Sequence, residues 1–140
     1  MVWKRPLFLL PVALALLAGC SSGRCSVTGM VTYEDGGPVE SGIVIGKAMI
    51  DGKPVTVRGT VRNGAFSWGG ATEGDGAPPG HYEVVVMPPS LSEYEVSQGM
   101  TPVIDGKFTK FETSGLSIDV KQGKNEFTIK VTKPKSDRRG

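Results

Sequence analysis

The sequence predicts an all-β fold, a single antiparallel β-sandwich of about seven strands, which follows an N-terminal segment that is removed. Glycine and proline supply 20 and 10 of the 140 residues, well above their usual combined share of about 12%, and both favour turns over long helices. Apolar residues alternate with polar ones in several short runs, which is typical of half-buried strands. Residues that tolerate positive φ separate these runs.

Seven runs are predicted to be strands, and each can bury one face only by packing sheet on sheet. Four alternate strictly: 27–33, 55–62, 116–121 and 127–132. The runs Ile43 to Ile45 and Tyr82 to Met87 are continuously apolar, which predicts central strands covered on both faces, and Ala65 to Trp68 forms a shorter strand. We expect the last two runs to form a hairpin across residues 122–125. A small open barrel is the alternative architecture.

The N-terminus has the order of a signal peptide. Lys4 and Arg5 precede 12 apolar residues, Pro6 to Leu17. As a helix this run would rise only about 18 Å, short of the ~30 Å hydrocarbon core, so we expect a removable segment rather than a permanent span. The predicted organisation is a signal peptide at 1–19, a tether at 20–25, a β-sandwich at 26–133 and a disordered basic tail at 134–140.

The residues Leu17, Ala18, Gly19 and Cys20 resemble the lipobox of bacterial lipoproteins. The resemblance implies that signal peptidase recognises Leu17, Ala18 and Gly19, that it cuts before Cys20, and that Cys20 carries diacylglycerol and an N-terminal acyl chain such as palmitate. Two or three acyl chains anchor a protein stably, whereas one is marginal. Ser21, not Asp, follows Cys20, which favours the outer membrane over the inner one, with the domain on the periplasmic or surface face.

Charge excludes nucleic acid as the expected partner. Lys4 and Arg5 belong to the removable segment, so 14 of the 16 basic side chains remain, against 14 acidic ones. A nucleic-acid binder normally needs a basic excess to neutralise phosphates. The local excess in the tail, around Arg138 and Arg139, is typical of a solvated chain end. The membrane, through the lipid on Cys20, is the partner that the sequence predicts.

Cys25 is the only cysteine besides Cys20. Because Cys20 is assigned to lipid, no disulfide within the mature chain is expected, and pairing of Cys25 between molecules stays open. A redox centre needs a second thiol or an activating charge, and only Arg24 is adjacent in sequence. No redox role is therefore predicted.

Several stretches together resemble the carboxypeptidase regulatory-like, transthyretin-like β-sandwich domains of bacterial lipoproteins. They are 27–31 with 35–39, then 64–66, 79–84, and 113–116 leading into 123–127. The resemblance implies an accessory or structural module. Related hydrolases of a purine-breakdown intermediate end in Tyr-Arg-Gly-Ser and use several histidines, whereas this chain ends in Arg138, Arg139 and Gly140 and has one histidine. The resemblance therefore implies no catalytic activity.

Individual residues favour no cofactor and no metal. His81 is the only histidine, and its position next to Tyr82 predicts the outer face of a strand rather than a catalytic base. One histidine and one distant cysteine do not match a zinc site. Glu73 and Asp75 could offer oxygens to calcium, but Pro78 and Pro79 interrupt any regular series of ligands, so a polar turn is expected.

The stretch from Pro88 to Thr113 is long for a connection without secondary structure, and such loops are often functional. It contains Tyr94, Met100, Phe108 and Phe111, which could bind an envelope protein or a glycan. The alternative is that they cover the open edge of the sandwich. We therefore expect a lipid-anchored structural or interaction module. The alternative is an envelope hydrolase acting on a glycan or small molecule.

Overall fold

The computed structural model describes residues 23–135, and this part of the chain is all-β apart from short helical turns. The strands are β1 (Val27–Tyr33), β2 (Ser41–Ile50), β3 (Lys53–Arg62), β4 (Ala65–Ser67), β5 (Gly80–Met87), β6 (Leu116–Val120) and β7 (Asn125–Val131). The helices are α1 (Glu93–Ser97), a 3₁₀ turn (Gly106–Thr109) and α2 (Phe111–Ser114). The all-β class and the seven predicted strands are confirmed. No helix within residues 23–135 is long and apolar enough to cross a membrane.

The strands form one sheet in the order β6-β5-β2-β3-β4-β1-β7. Most neighbours are antiparallel, and β2 and β3 pair along their whole length through a turn at Asp51 and Gly52, which both have positive φ. The pair β1 and β7 is parallel, with Val27 opposite Asn125 and Tyr33 opposite Val131. The prediction of a purely antiparallel sheet is therefore wrong for this pair.

The predicted hairpin between the last two strands is also wrong. β6 pairs with β5, while β7 pairs with β1 at the other edge of the sheet. The Asn125 side chain stabilises the turn between the two strands, because its amide oxygen accepts from the Lys121 N–H at 2.9 Å and its amide nitrogen donates to the Lys121 carbonyl at 2.8 Å. Its backbone N–H donates to the Ser26 carbonyl at 2.9 Å. The turn thus carries the chain from one edge to the other.

The two continuously apolar strands differ in how they are covered. In β5, Val84, Val85 and Val86 are all buried, as predicted for a strand with both faces covered. In β2, Val44 is buried but Ile43 is 37% exposed. The prediction that β2 is covered on both faces is therefore wrong, because nothing among the described residues covers Ile43 completely and the strand alternates like its neighbours.

Trp68 occupies the centre of the core and is completely buried. Its ring centroid lies 5.3 Å from that of Tyr82 and 6.3 Å from that of Phe66. Gly46 on β2 faces this ring, and a Cβ there would lie 2.5 Å from an indole carbon. Glycine is required at this position because the indole occupies the space of a side chain.

The two ends of the domain contain different parts of the chain. We call the end that holds Arg24, Cys25 and the turns 51–52 and 121–124 the anchor pole. Gly80 and Val120 pair there, next to Ile50. Cys25 and Ala77 exchange two backbone hydrogen bonds of 2.7 and 2.9 Å, and Arg24 donates to the Gly76 carbonyl at 2.9 Å. The N-terminal exit of the domain is thus fixed at this pole.

We call the opposite end, where β1, β5 and β7 finish, the distal pole. The hydroxyl of Tyr33, the last residue of β1, donates to the Val103 carbonyl at 3.2 Å, which places the long loop at this end. β1 has 7 residues, so its ends are about 20 Å apart at 3.3 Å per residue. The loop after β5 therefore lies at the end of the domain opposite the N-terminal exit.

Replacing Tyr82 with Phe is expected to reduce the loss of stability at alkaline pH. Burial raises the pKa of Tyr82 above its ordinary value of 10.0, and its hydroxyl donates to the Pro78 carbonyl at 2.8 Å. The folded state therefore holds this proton more tightly than the unfolded state, so its contribution is complete below pH 10 and is lost as pH rises through the folded pKa. Urea unfolding measured from neutral to alkaline pH should show a shallower decline for Tyr82→Phe. An equal decline in both proteins would contradict this assignment.

Candidate functional site

The second half of the long loop is packed into the domain. Ile104 and Phe108 are 1% and 6% exposed and belong to the main core. The Asp105 N–H donates to the Thr132 carbonyl at 2.9 Å, and the Asp105 carboxylate accepts from the Lys107 N–H at 3.0 Å. These bonds hold the 3₁₀ turn against the end of β7. Phe108 therefore serves as a core side chain at the distal pole.

Phe111 lies on the outer face of the sheet, on α2. The Ser114 hydroxyl donates to the Val84 carbonyl at 2.6 Å, which fixes α2 against β5. The Lys47 ammonium lies 4.2 Å from the centroid of the Phe111 ring, within the range of a cation–π contact. α2 thus lies against β5, whose Val85 is buried outside the main core cluster.

The first half of the loop stands clear of the strands, and nearly all of residues 89–103 are exposed. A capping box orders α1: the Ser92 hydroxyl accepts from the Glu95 N–H, and the Glu95 carboxylate accepts from the Ser92 N–H at 2.8 Å. Gly99 follows with φ +77, the left-handed conformation that ends many helices. The segment is therefore locally structured although it buries little surface.

Four large apolar side chains of this segment are exposed: Tyr94 (73%), Val96 (59%), Met100 (52%) and Val103 (45%). We call them the distal patch. Exposed apolar side chains scattered singly are common, but a group of them on one segment marks an interaction surface. Sequence analysis identified Tyr94 and Met100 and missed the two valines, since a lone Val in an irregular segment gives no periodic signal.

The four side chains that sequence analysis grouped as a candidate binding loop are therefore divided among three environments. Tyr94 and Met100 are exposed at the distal pole, Phe111 packs on the outer face of the sheet, and Phe108 lies in the core. The sequence could not separate them, because all four lie in one stretch without alternation. The candidate site is the distal patch.

A groove of about 540 Å³ lies beside the distal patch. Its walls are Tyr33, Pro38, Glu40, Ser41, Pro89, Thr101, Pro102, Val103, Lys133 and Pro134. The Lys133 ammonium lies 4.9 Å from the centroid of the Tyr33 ring. Burial, followed by the negative charges of Glu40 and Asp35, raises the pKa of Tyr33 above 10.0, so its hydroxyl stays protonated and keeps its bond to Val103.

His81 lies on the exposed face of β5, as expected, and has a partner that sequence analysis did not find. The sheet register places His81 opposite Asp119 on β6, and their Nδ1 and Oδ1 atoms are 2.5 Å apart. The two side chains are 63% and 68% exposed. Water screens a pair this exposed, which makes it a surface contact rather than a pre-organised catalytic pair.

The acidic turn at 73–76 forms a structural contact. Glu73 accepts from the Thr60 N–H at 3.1 Å and from the Arg62 guanidinium at 3.3 Å, and these contacts, led by the Thr60 bond, lower the pKa of the Glu73 carboxyl. Asp75 accepts from the Gly70 N–H at 2.8 Å. No group of three or more histidine, cysteine, aspartate or glutamate side chains within residues 23–135 could hold a metal ion.

Cys25 is completely buried and is bonded in a disulfide, so it is not a free thiol. The expectation of no disulfide within the chain does not hold for this structure. That expectation depended on assigning the sulfur of Cys20 to lipid, and in the lipid-anchored form of the protein this sulfur is a thioether, which forms no disulfide. Leu17, Ala18, Gly19 and Cys20, which carry the predicted lipidation and cleavage, lie outside the described residues.

Comparisons of the chain with protein-family models, with curated proteins and with solved structures give no match.

Proposed function

We propose that the protein is a lipid-anchored interaction module of the bacterial cell envelope, held in the membrane by acyl chains on Cys20 and binding a partner protein through the distal patch. One observation supports this most directly: the N-terminal exit and the distal patch lie at opposite poles of the domain. An anchor at one pole presents the other pole to the surroundings. The lipobox residues predict where that anchor is attached.

The proposed fold is a transthyretin-like sandwich of two layers, β6-β5-β2-β3 and β4-β1-β7. Among the described residues, strand pairing between the layers is limited to Arg62 opposite Ala65 and a bridge between Arg58 and Gly69. Both groups of strands contribute to one core, for example Val44 and Val131. This combination supports two layers packed face to face.

A protein is a better partner for the distal patch than a glycan. Three of its four side chains, Val96, Met100 and Val103, are aliphatic or thioether groups, which gain most from contact with another apolar surface. A glycan site would present aromatic faces with polar groups around them, and Tyr94 is the single aromatic member of the patch.

Outer-membrane placement, with the domain on the periplasmic or surface face, follows from Ser21 after Cys20.

Replacing Tyr94, Val96 and Met100 together with Ser is expected to abolish partner binding while leaving the fold intact, because all three side chains are more than half exposed. Full-length protein would be crosslinked in intact envelopes and purified, and the products compared by mass spectrometry. The wild type should yield a discrete partner that the triple variant loses by at least about tenfold, which corresponds to roughly 1.4 kcal/mol.

The matched control is Met30→Ser, because Met30 is exposed on β1, outside the segment 89–103 that carries the distal patch. It should recover the same partner as the wild type. Equal recovery of that partner by the triple variant would overturn the assignment of the binding surface to the distal patch. If the triple variant loses a glycan that the wild type binds but recovers every protein that the wild type recovers, the ligand of the distal patch is a glycan instead.

A further inference from the structure

β7 is the last strand of the sheet, and one of its edges is unpaired. The Asn125 N–H donates to the Ser26 carbonyl at 2.9 Å, which shows that Asn125 and every second residue after it bond to β1. The N–H and carbonyl groups of successive residues point to opposite sides of a strand. The backbone groups of Glu126, Thr128 and Lys130 therefore point away from the sheet.

This edge is open over a short stretch. The Asp105 N–H donates to the carbonyl of Thr132, the next outward-pointing residue, so the open stretch ends at Lys130. At its other end, residues of β6 and β7 line a groove of about 430 Å³, and the two strands are not paired with each other. An unpaired edge of this kind is a template for pairing with a further strand.

The side chains of the open stretch carry one charge of each sign. Glu126, Thr128 and Lys130 are exposed, and no ion pair joins Glu126 or Lys130 to another group within the described part of the chain. The side chains opposite them on β1 are uncharged: Thr28, Met30 and Thr32. Glu126 and Lys130 are four residues apart in the strand, about 13 Å, which is too far for them to pair with each other.

We propose that this edge binds a second copy of the chain, with the two β7 strands antiparallel and Thr128 of each copy opposite Thr128 of the other. In this register Glu126 of one copy lies opposite Lys130 of the other, and the same pair forms twice about a twofold axis. Opposite charges directly across an antiparallel pair stabilise it. The three outward-pointing residues of each strand can also form six backbone hydrogen bonds across the axis.

The other edge of the sheet lacks this self-complementarity. The exposed side chains of β6 are Ser117 and Asp119, which include no base, and Asp119 already contacts His81. Each copy therefore offers one self-complementary edge, so the twofold pairing forms a closed dimer rather than a chain of copies.

The antiparallel pairing determines how the two copies are oriented. β7 runs from the anchor pole to the distal pole, so one anchor pole and one distal patch lie at each end of the dimer. The inference goes beyond the proposed function and does not depend on the lipid anchor. If both are correct, two Cys20 lipids in one leaflet would hold the paired strands along the membrane.

The test exchanges the charges of the edge in the full-length protein, purified in detergent, and measures the dimer dissociation constant by sedimentation equilibrium. The wild type should form a reversible dimer. Lys130→Glu and Glu126→Lys should each weaken it by at least about tenfold, because each places like charges opposite each other twice. The double variant Glu126→Lys with Lys130→Glu should return to within about twofold of the wild type, and an equimolar mixture of the two single variants should form a mixed dimer.

Lys53→Glu on β3 is the matched control, because it makes the same change of charge at an exposed residue outside both edges. It should dimerise like the wild type. A wild type that stays monomeric at about 1 mM protein would overturn the dimer. Equal weakening by Lys53→Glu, or no recovery in the double variant, would overturn the β7 edge as the interface. A monomeric wild type that crosslinks through Lys130 to a different protein in intact envelopes would identify that protein as the occupant instead.

Discussion

Replacing Trp68 with Ala should lower the free energy of unfolding by about 3–5 kcal/mol, the usual cost of truncating a buried aromatic side chain. Trp68 is completely buried and contacts the aromatic cluster with Tyr82 and Phe66. The backbone of Gly46 borders its ring, and a backbone cannot move in to fill the cavity. Since small domains are stable by only about 5–15 kcal/mol, this loss would remove much of the total.

Urea unfolding followed by circular dichroism would measure this effect. Thr128→Ala on the exposed face of β7 is the matched control and should change stability by less than about 0.5 kcal/mol. Trp68→Phe should be milder than Trp68→Ala, because it keeps an aromatic ring and removes an indole N–H that is buried without an acceptor. A Trp68→Ala protein as stable as the control would show that the core does not depend on this residue.

Replacing Cys20 with Ala is expected to abolish lipid attachment and cleavage together. The lipobox resemblance implies that diacylglycerol is joined through the Cys20 thiol and that cleavage falls before the modified cysteine. In a bacterium that processes lipoproteins, the variant should incorporate no labelled fatty acid and should keep residues 1–19. Metabolic labelling followed by electrophoresis would show both changes.

Ser21→Ala is the control for the cysteine variant, because it alters the adjacent tether residue and keeps the thiol. It should be labelled and cut like the wild type. Labelled fatty acid on the Cys20→Ala protein would contradict the assignment of the lipid to this residue.

Period-two alternation predicted the strands well, because burial of one face is a local property of each strand. Ile118 and Ile129 are buried while their neighbours Asp119 and Lys130 are exposed, as the pattern requires. Which strand pairs with which is not a local property of the sequence. The sequence around 122–125 permits a hairpin, but β7 pairs with β1, which is distant from it in sequence, and no local pattern specifies that partner.

The candidate site was only partly predictable for a related reason. Composition identified the loop, but exposure within it depends on which side chains reach the core. Phe108 and Tyr94 are both aromatic residues of the same loop, and the 3₁₀ turn directs Phe108 into the core while α1 leaves Tyr94 in solvent. The contact of His81 with Asp119 likewise depends on the register of β5 and β6, which no local pattern specifies.

We propose that Cys20 carries lipid and is the first residue of the mature protein. The most direct test is the intact mass of the wild-type protein, expressed in such a bacterium and extracted from its membranes with detergent. We expect a chain that begins at Cys20, with the added mass of diacylglycerol and an N-linked acyl group on that residue. A chain that keeps residues 1–19, or one that begins at Cys20 without added lipid, would contradict it.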